Sequence, residues 1–286
     1  MRDRLRLAIP NKGRLVEPTL ALLHASGLVF EEHDRSLVAH VQNHPLDILF
    51  VRTDDVVEFV ADAVADAGIT GEDILAEVGR DLPVIARLGY GRCRLAAAVP
   101  SDAPARAVED LAGQRVATSH AATTRRFFAE RGIPVEIIAL SGAVEVAPRL
   151  GLADAIVDLV STGSTLQMNG LRAIGDLLRS EAVLVAGPSA REQRPEELDG
   201  IVLMLGSVLA ARNRKYLMMN APATHLAELE ALLPGLGSPS VIPLAHEGMI
   251  AIHAVVEADE VWGLLPRLKA AGASGILVLP IEKILP

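Results

Sequence analysis

The chain has 286 residues, half of them apolar, and a formal net charge of −9 with no Lys/Arg run longer than a pair, which argues against a nucleic-acid partner. Its single cysteine, Cys93, excludes an intrachain disulfide and a C-x-x-C motif, and no window approaches the ~18 uninterrupted apolar residues of a membrane span. Charges in the opening MRDRLRLAIPNKG break the apolar core a signal peptide needs, so a cytoplasmic protein is expected.

By length the chain divides into two or three compact units, and a core of Ala, Val, Leu and Ile favours α/β layers with parallel strands. Leu5–Ile9 reads as a strand and Arg14–Ser26 as a helix stopped by Gly27. Ile48–Val51 is a strand, Thr53 is the expected N-cap of a helix over Asp54–Ala65, and Ala67–Thr70 is a buried strand. Gly71 opens a short helix, and Pro83–Leu88 and Arg94–Val99 are further strands. The pattern then restarts: strand Arg115–Thr118, helix Ala121–Arg131, strand Val135–Leu140, helix Ala143–Leu150 and strand Ala155–Leu159. Ala182–Ala186 is a strand that returns to the first unit, and a polar stretch near Pro188–Glu197 leads into a helix over Leu198–Arg212. Beyond it, strands Lys215–Met219, Val241–Leu244, Ile250–Val256 and Ile276–Leu279 interleave with helices Thr224–Leu233 and Val261–Ala271. The order βαββαβ is that of ferredoxin-like domains, and this module carries none of the candidate chemistry, so regulation or assembly is its expected role.

The most informative stretch is Ala153–Leu166, ADAIVDLVSTGSTL. A buried strand carries Asp158 near its end and breaks into Ser161, Thr162, Gly163, Ser164 and Thr165. Such a turn offers a phosphate four hydroxyls, free N–H groups and a glycine that allows close approach. Asp158 can accept hydrogen bonds from sugar hydroxyls, so strand, acid and loop together suggest a ribose 5-phosphate site. A plain Ser/Thr-capped helix is the alternative. Lys12 and Arg14, flanking Gly13, can neutralise a diphosphate or be solvated loop cations. Arg52 follows a buried strand, with a surface ion pair to Asp54 or Asp55 as its alternative. In Gly68-Ile69-Thr70-Gly71-Glu72-Asp73 the glycines either form a backbone platform for a flat ligand or make a tight turn whose acids suit a helix start. His120 closes a second hydroxyl-bearing turn, and a lone His is more often an ordinary loop residue. Glu145 falls in the first turn of its helix, near the same crevice, and would otherwise be a capping-box partner of Gly142 or Ser141. Asp154 sits ~13 Å from Asp158 along the strand and reads as structural.

Together these segments resemble the long form of ATP phosphoribosyltransferase, the first enzyme of histidine biosynthesis. The resemblance spans N-K-G-R-L, F-V-R-T-D-D, G-I-T-G-E-D, R-V-A-T-S, S-G-A-V-E-V-A-P, D-A-I-V-D-L-V-S-T-G-S-T-L and G-A-S-G-I-L-V-L-P-I-E-K. It implies a two-lobed, periplasmic-binding-protein-like core, with lobe I over 1–95 (completed by about 182–212) and lobe II over 96–181, and a regulatory ferredoxin-like domain over 213–286. It implies transfer of the phosphoribosyl group of 5-phosphoribosyl 1-diphosphate to N1 of ATP. It further implies Mg²⁺ held mainly by substrate phosphates with no metal site from protein alone, dimers assembling into hexamers, and feedback inhibition by histidine.

On this reading Ser161–Thr165 hold the 5-phosphate and Asp158 the ribose hydroxyls. Glu145 helps with the ribose or the metal shell, and Lys12 and Arg14 meet the departing diphosphate. Arg14, Arg52, Gly71, Glu72, Asp73 and His120 face ATP; Asn220, Ser240 and Ala273 face histidine. Two positions depart from the family pattern. His120 stands where relatives often carry Tyr, and Asn220 where some carry an acid. A solute-binding protein with the same cleft, or a stand-alone ligand sensor built on the last module, are the rival classes; diphosphate release on mixing both substrates separates them from the enzyme.

Overall fold

The computed structural model describes residues 3–31, 36–233 and 238–285. The chain divides into two compact units, Met1–Val202 and Leu203–Pro286. The first unit contains two sheets. In chain order the first sheet begins with β1 (Leu5–Pro10), α1 (Val16–Ala25), β2 (Val38–His40), β3 (Leu46–Val51), α2 (Asp55–Ala61), β4 (Ala67–Gly71), α3 (Glu72–Val78) and β5 (Val84–Arg87). The second follows with β6 (Cys93–Pro100), β7 (Arg115–Thr118), α4 (Ala121–Glu130), β8 (Glu136–Ala139), β9 (Ala155–Val160), α5 (Ser164–Met168) and β10 (Leu171–Ser180). The chain then returns to the first sheet as β11 (Ala182–Ala186), followed by α6 (Pro188–Gln193) and α7 (Pro195–Ala211).

The first sheet has strand order β2-β3-β1-β4-β11-β5 and the second β10-β6-β9-β7-β8. β1 pairs in parallel with β3 and β4, and β7 in parallel with β8 and β9. β6 and β11, the strands entering each sheet from the other lobe, pair antiparallel to β9 and β4. This is the two-lobed architecture expected of a periplasmic-binding-protein-like core, and parallel strands place their carboxyl ends toward one crevice. β4 and β11 are buried throughout, which is why their sequences AGITG and AVLVA lack polar alternation. Val56, Val57 and Val60 of α2 pack on Ala8, Val183 and Val185. Each fully buried Val contributes roughly 1.5–3 kcal/mol. On the second sheet, Phe127 and Phe128 of α4 cover Leu95, Ala97 and Val157 on one face, while Val144, Ala147 and Leu166 cover Ala96, Ile156 and Val160 on the other.

Three expectations need correction, and one strand was missed. Ala143–Leu150 is no α-helix but a 3₁₀ turn over Val144–Val146, because Pro148 lacks an N–H and its ring would clash with the carbonyl of Val144. Thr53 is not an N-cap; its hydroxyl donates to the Lys12 carbonyl at 3.3 Å and Asp54 starts α2 without a side-chain cap. The polar stretch after Gly187 folds as α6, with Pro188 at its first turn, and α7 starts at Pro195. Strand β10 was not anticipated at all; it runs antiparallel to β6 with two register shifts.

The second unit takes in the end of α7 and adds β12 (Arg214–Pro222), α8 (Leu226–Leu232), β13 (Ser240–Pro243), β14 (Met249–Glu257), α9 (Val261–Ala270) and β15 (Ser274–Pro280). The sheet order β13-β14-β12-β15, all antiparallel, is the interleaved βαββαβ arrangement read from the sequence. Leu217, Met219 and Ile252 alternate onto the face covered by Leu229, Leu264 and Leu268. The unit starts before residue 213 because the chain's end returns to α7, where the Ile284 N–H donates to the Ser207 carbonyl at 2.9 Å.

Candidate active site

β9 alternates Ile156, Asp158 and Val160 onto one face, and at its end Asp158 is half-buried above the apolar layer. One Asp158 oxygen accepts the N–H of Leu159 at 2.8 Å. Burial pushes its pKa up and the charge of Glu145 pushes it further; the Leu159 N–H and His120 pull the other way without cancelling the rise. The Glu145 carboxylate is therefore near enough for its charge to reach Asp158. Glu145 reaches this position from a tight turn preceded by Ala143, a non-glycine residue at φ +52°. A left-handed conformation costs an alanine about 1–2 kcal/mol, strain that the surrounding fold must hold. The Gly142 or Ser141 capping box is not formed, since no side-chain cap closes this turn.

Beyond Val160 the chain turns through Ser161, Thr162 and Gly163 into the short α5, with all four hydroxyl-bearing residues exposed. Gly163 sits at φ +84°, where a side chain is strained although an added Cβ would meet only Val160, at 4.0 Å. The hydroxyls of Thr162 and Ser164 are 3.0 Å apart and orient one another.

Across the first sheet, Lys12 is exposed, and its ammonium has no partner among the described residues. Arg14 is different. Its guanidinium donates to Asp73 at 3.0 Å and lies 3.1 Å from the Cys93 sulfur. Asp73 is fully buried and accepts the Ser180 hydroxyl at 2.5 Å, while its own N–H donates to the Ser180 oxygen at 3.0 Å. Burial alone would raise the Asp73 pKa, but His120, Arg14 and Ser180 outweigh it and hold the carboxyl far below its usual range. His120 Nε2 lies 3.7 Å from the second Asp73 oxygen, an ion-pair separation too long for a hydrogen bond, and its other ring nitrogen is 3.1 Å from the Ser119 hydroxyl. Asp73 and His120, read as ATP contacts, are thus buried in a hub that fixes Arg14. Gly71 serves the same hub, since a Cβ there would come within 2.2 Å of an Asp73 oxygen. Glu72 is paired with Arg87 at 2.6 Å. Arg52 is exposed without the anticipated pair to Asp54 or Asp55 among the described residues; its carbonyl accepts the Asp55 N–H at 2.9 Å. Asp154 pairs with Arg115 at 2.8 Å at the far end of the strand, the structural role expected of it.

Three features escaped the sequence reading. Glu77 of α3 accepts the N–H groups of Ala122 and Thr123, each at 2.8 Å, so an acid of lobe I caps the first turn of α4 in lobe II. Its i, i+4 spacing from Asp73 was the available signal. A cavity of about 910 Å³ beside Ser161 is lined by Arg87, Arg92, Arg94 and Arg179 among others. Arg179 belongs to the strand that was not anticipated. In the second unit, Asn220 lies opposite Ser274, next to Ala273, and its carbonyl accepts the Ser274 hydroxyl at 3.3 Å. Ser240 is level with His253 and Met218, two strands away, so roughly 12 Å separates it from Asn220.

Among the described residues no group of three or more His, Cys, Asp or Glu is arranged to hold a metal ion, and no helix is long and apolar enough to cross a membrane.

A family model described as ATP phosphoribosyltransferase matches residues 52–207, and one described as HisG, C-terminal domain, matches 211–283. An ATP phosphoribosyltransferase of Gemmatimonas aurantiaca is 48% identical, covering 99% of this chain and 100% of its own. One of Maricaulis maris is 44% identical over all of both chains. Among solved structures, a chain of the ATP phosphoribosyl transferase (HisG:HisZ) complex from Thermotoga maritima superposes with a TM-score of 0.64 at 30% identity, covering 72% of this chain and 98% of that one.

Proposed function

The chain belongs to the ATP phosphoribosyltransferase family, whose reaction opens histidine biosynthesis, and on that premise we propose how its residues divide the work. The reaction moves the 5-phosphoribosyl group of 5-phosphoribosyl 1-diphosphate to N1 of ATP and releases diphosphate. Adenine N1 is a weak nucleophile without a proton to lose, so the sugar must develop positive charge at C1 as diphosphate departs. Catalysis is then positioning and charge stabilisation, without a covalent intermediate.

Ser161–Thr165 hold the 5-phosphate, and Asp158 accepts the ribose hydroxyls. The observation that carries this reading is the exposed hydroxyl loop with Gly163 at φ +84°, opening directly from the strand that bears a half-buried acid. The negative charge of Asp158, next to Glu145, also favours the cationic sugar as it forms. Arg14, fixed by Asp73, and the exposed Lys12 meet anionic oxygen on the opposite side. The oxygen-only pair Asp158 and Glu145 fits a hard cation that keeps waters and substrate phosphates in its shell, so these two residues would hold Mg²⁺. When bound, Mg²⁺ neutralises charge on the diphosphate. Arg52 and the backbone at Gly71 are the groups left to the nucleotide, while Glu72, Asp73 and His120 support from behind.

The second unit is the feedback site for histidine in this reading, with Asn220 and Ser274 on adjacent strands supplying hydrogen-bond groups and Ala273 just before the second strand. Its outer strands β13 and β15 expose Val241, Ile242, Leu277 and Leu279, and α9 exposes Trp262 at 91%, which supports assembly of copies into dimers and hexamers. ATP as substrate fits a cytoplasmic enzyme.

Diphosphate release from ATP, sugar donor and Mg²⁺ tests the assignment. Asp158→Asn should lower turnover at least about tenfold, or ~1.4 kcal/mol of barrier. Wild-type turnover in that variant would remove Asp158 from the site. Histidine should inhibit the wild type and lose potency in Asn220→Ala; equal potency would move the inhibitor site elsewhere.

A further inference from the structure

The two substrates bring two polyphosphate groups, and the cations assigned to them so far are Lys12, Arg14 and Arg52. The cavity beside Ser161 supplies a second set. Strand register places it. Arg94 on β6 lies opposite Val160 on β9 and opposite Arg179 on β10, and Ala96, two residues on, lies opposite Asp158 and Asp176. Directly paired residues share a face, so Arg94 and Arg179 stand on the same side of the sheet as Asp158, one row nearer the phosphate loop. With strands about 4.8 Å apart, the Arg94 backbone is one strand and the Arg179 backbone two strands from Val160, the residue before Ser161.

Charge in the cavity is unbalanced. Four guanidinium groups, of Arg87, Arg92, Arg94 and Arg179, face the carboxylates of Glu72, Asp176 and Glu181. Arg87 pairs with Glu72 at 2.6 Å, Arg92 with Glu181 at 3.4 Å, and Arg94 closely with Asp176. Among the described residues the Arg179 guanidinium has neither an ion-pair nor a hydrogen-bond partner, and it is exposed at the cavity wall. The existing pairs are solvent-accessible, worth ~0–1 kcal/mol each, so an anion of several charges can draw the guanidiniums away at little cost.

We propose that this cavity is a polyphosphate subsite in which Arg94 and Arg179 grip a diphosphate or triphosphate group, while the 5-phosphate occupies the neighbouring loop. The inference rests on the assignment of the loop only in naming the anion as part of a substrate. The sources of that anion are the diphosphate of the sugar donor and the triphosphate of ATP.

Calorimetric titration of the full-length protein with inorganic diphosphate, ribose 5-phosphate, ATP and AMP tests it. Arg179→Ala should weaken diphosphate or ATP about tenfold, the loss of one charged hydrogen-bond donor, and leave ribose 5-phosphate and AMP unchanged. Diphosphate weakened alone identifies the sugar donor's group; ATP weakened with AMP unchanged identifies the nucleotide's. Asp176→Asn, which removes the carboxylate competing for Arg94, should tighten the same anion, and this opposite sign separates binding from damage to the fold. Unchanged diphosphate and ATP affinity in Arg179→Ala, or no tightening in Asp176→Asn, would overturn the proposal. Loss of ribose 5-phosphate affinity in Arg179→Ala would also overturn it, by showing that these cations serve the monophosphate. Failure of the loop assignment reads out separately, as wild-type ribose 5-phosphate affinity in Thr165→Ala.

Discussion

Asp73→Asn keeps the shape of a fully buried side chain and removes its charge. The carboxylate accepts Ser180 at 2.5 Å and Arg14 at 3.0 Å. A hydrogen bond to a charged group contributes ~1.5–3 kcal/mol against ~0.5–1.5 for a neutral one, so the Ser180 contact loses about 1 kcal/mol. The Arg14 contact loses less, because the Arg14 side chain is 36% exposed and water screens it. The expected destabilisation is about 1–2 kcal/mol, a fall in Tm of about 2–8 °C for a unit of this size. The pH dependence follows from the direction of the shift. Asp73 is held below its ordinary value of 3.8, so its stabilisation is complete above that value and is lost as pH falls through the folded one. The gap between wild type and Asp73→Asn, measured by urea unfolding, should therefore be widest near neutrality and narrow below pH ~4. An equal urea midpoint at pH 7, or a gap unchanged in acid, would refute the hub.

Other perturbations separate the roles of the neighbouring groups. Gly71→Ala drives a Cβ within 2.2 Å of an Asp73 oxygen, and overpacking should cost ~1–3 kcal/mol and raise KM by displacing Arg14; wild-type stability would show that the hub yields freely. Glu145→Gln removes a charge that raises the Asp158 pKa, so the acid limb of the kcat/KM profile should move to lower pH, and an unmoved limb would uncouple the two acids. Because burial raises the Asp158 pKa, its ionised form is held at a cost. Asp158→Asn should therefore unfold at a higher temperature than wild type at pH 7, with the difference closing as acid protonates Asp158; lower stability at pH 7 would contradict this sign.

The parts of the fold legible in the sequence are those set by local burial. β4, β9 and β11 are largely apolar runs because interior strands covered on both faces have no polar side to show. β10 was illegible because its sequence LRAIGDLLRS mixes charges with apolar residues across two bulges, so its alternation slips twice. The exposed hydroxyl-rich turn Ser161–Thr165 was legible because its residues are adjacent in sequence. The hub was not, since Asp73 and Ser180 lie 107 positions apart and nothing local distinguishes a buried acid from one offered to a ligand. Sequence alone accordingly places Asp73 against the nucleotide and gives no sign of Arg94 and Arg179, which only strand pairing brings together.

The most direct test of the loop assignment is a crystal structure of the full-length chain with 5-phosphoribosyl 1-diphosphate. The expected density has the 5-phosphate oxygens within ~2.7–3.2 Å of the N–H and hydroxyl groups of Ser161–Thr165, with the ribose hydroxyls on Asp158. A 5-phosphate bound away from that turn would contradict the account.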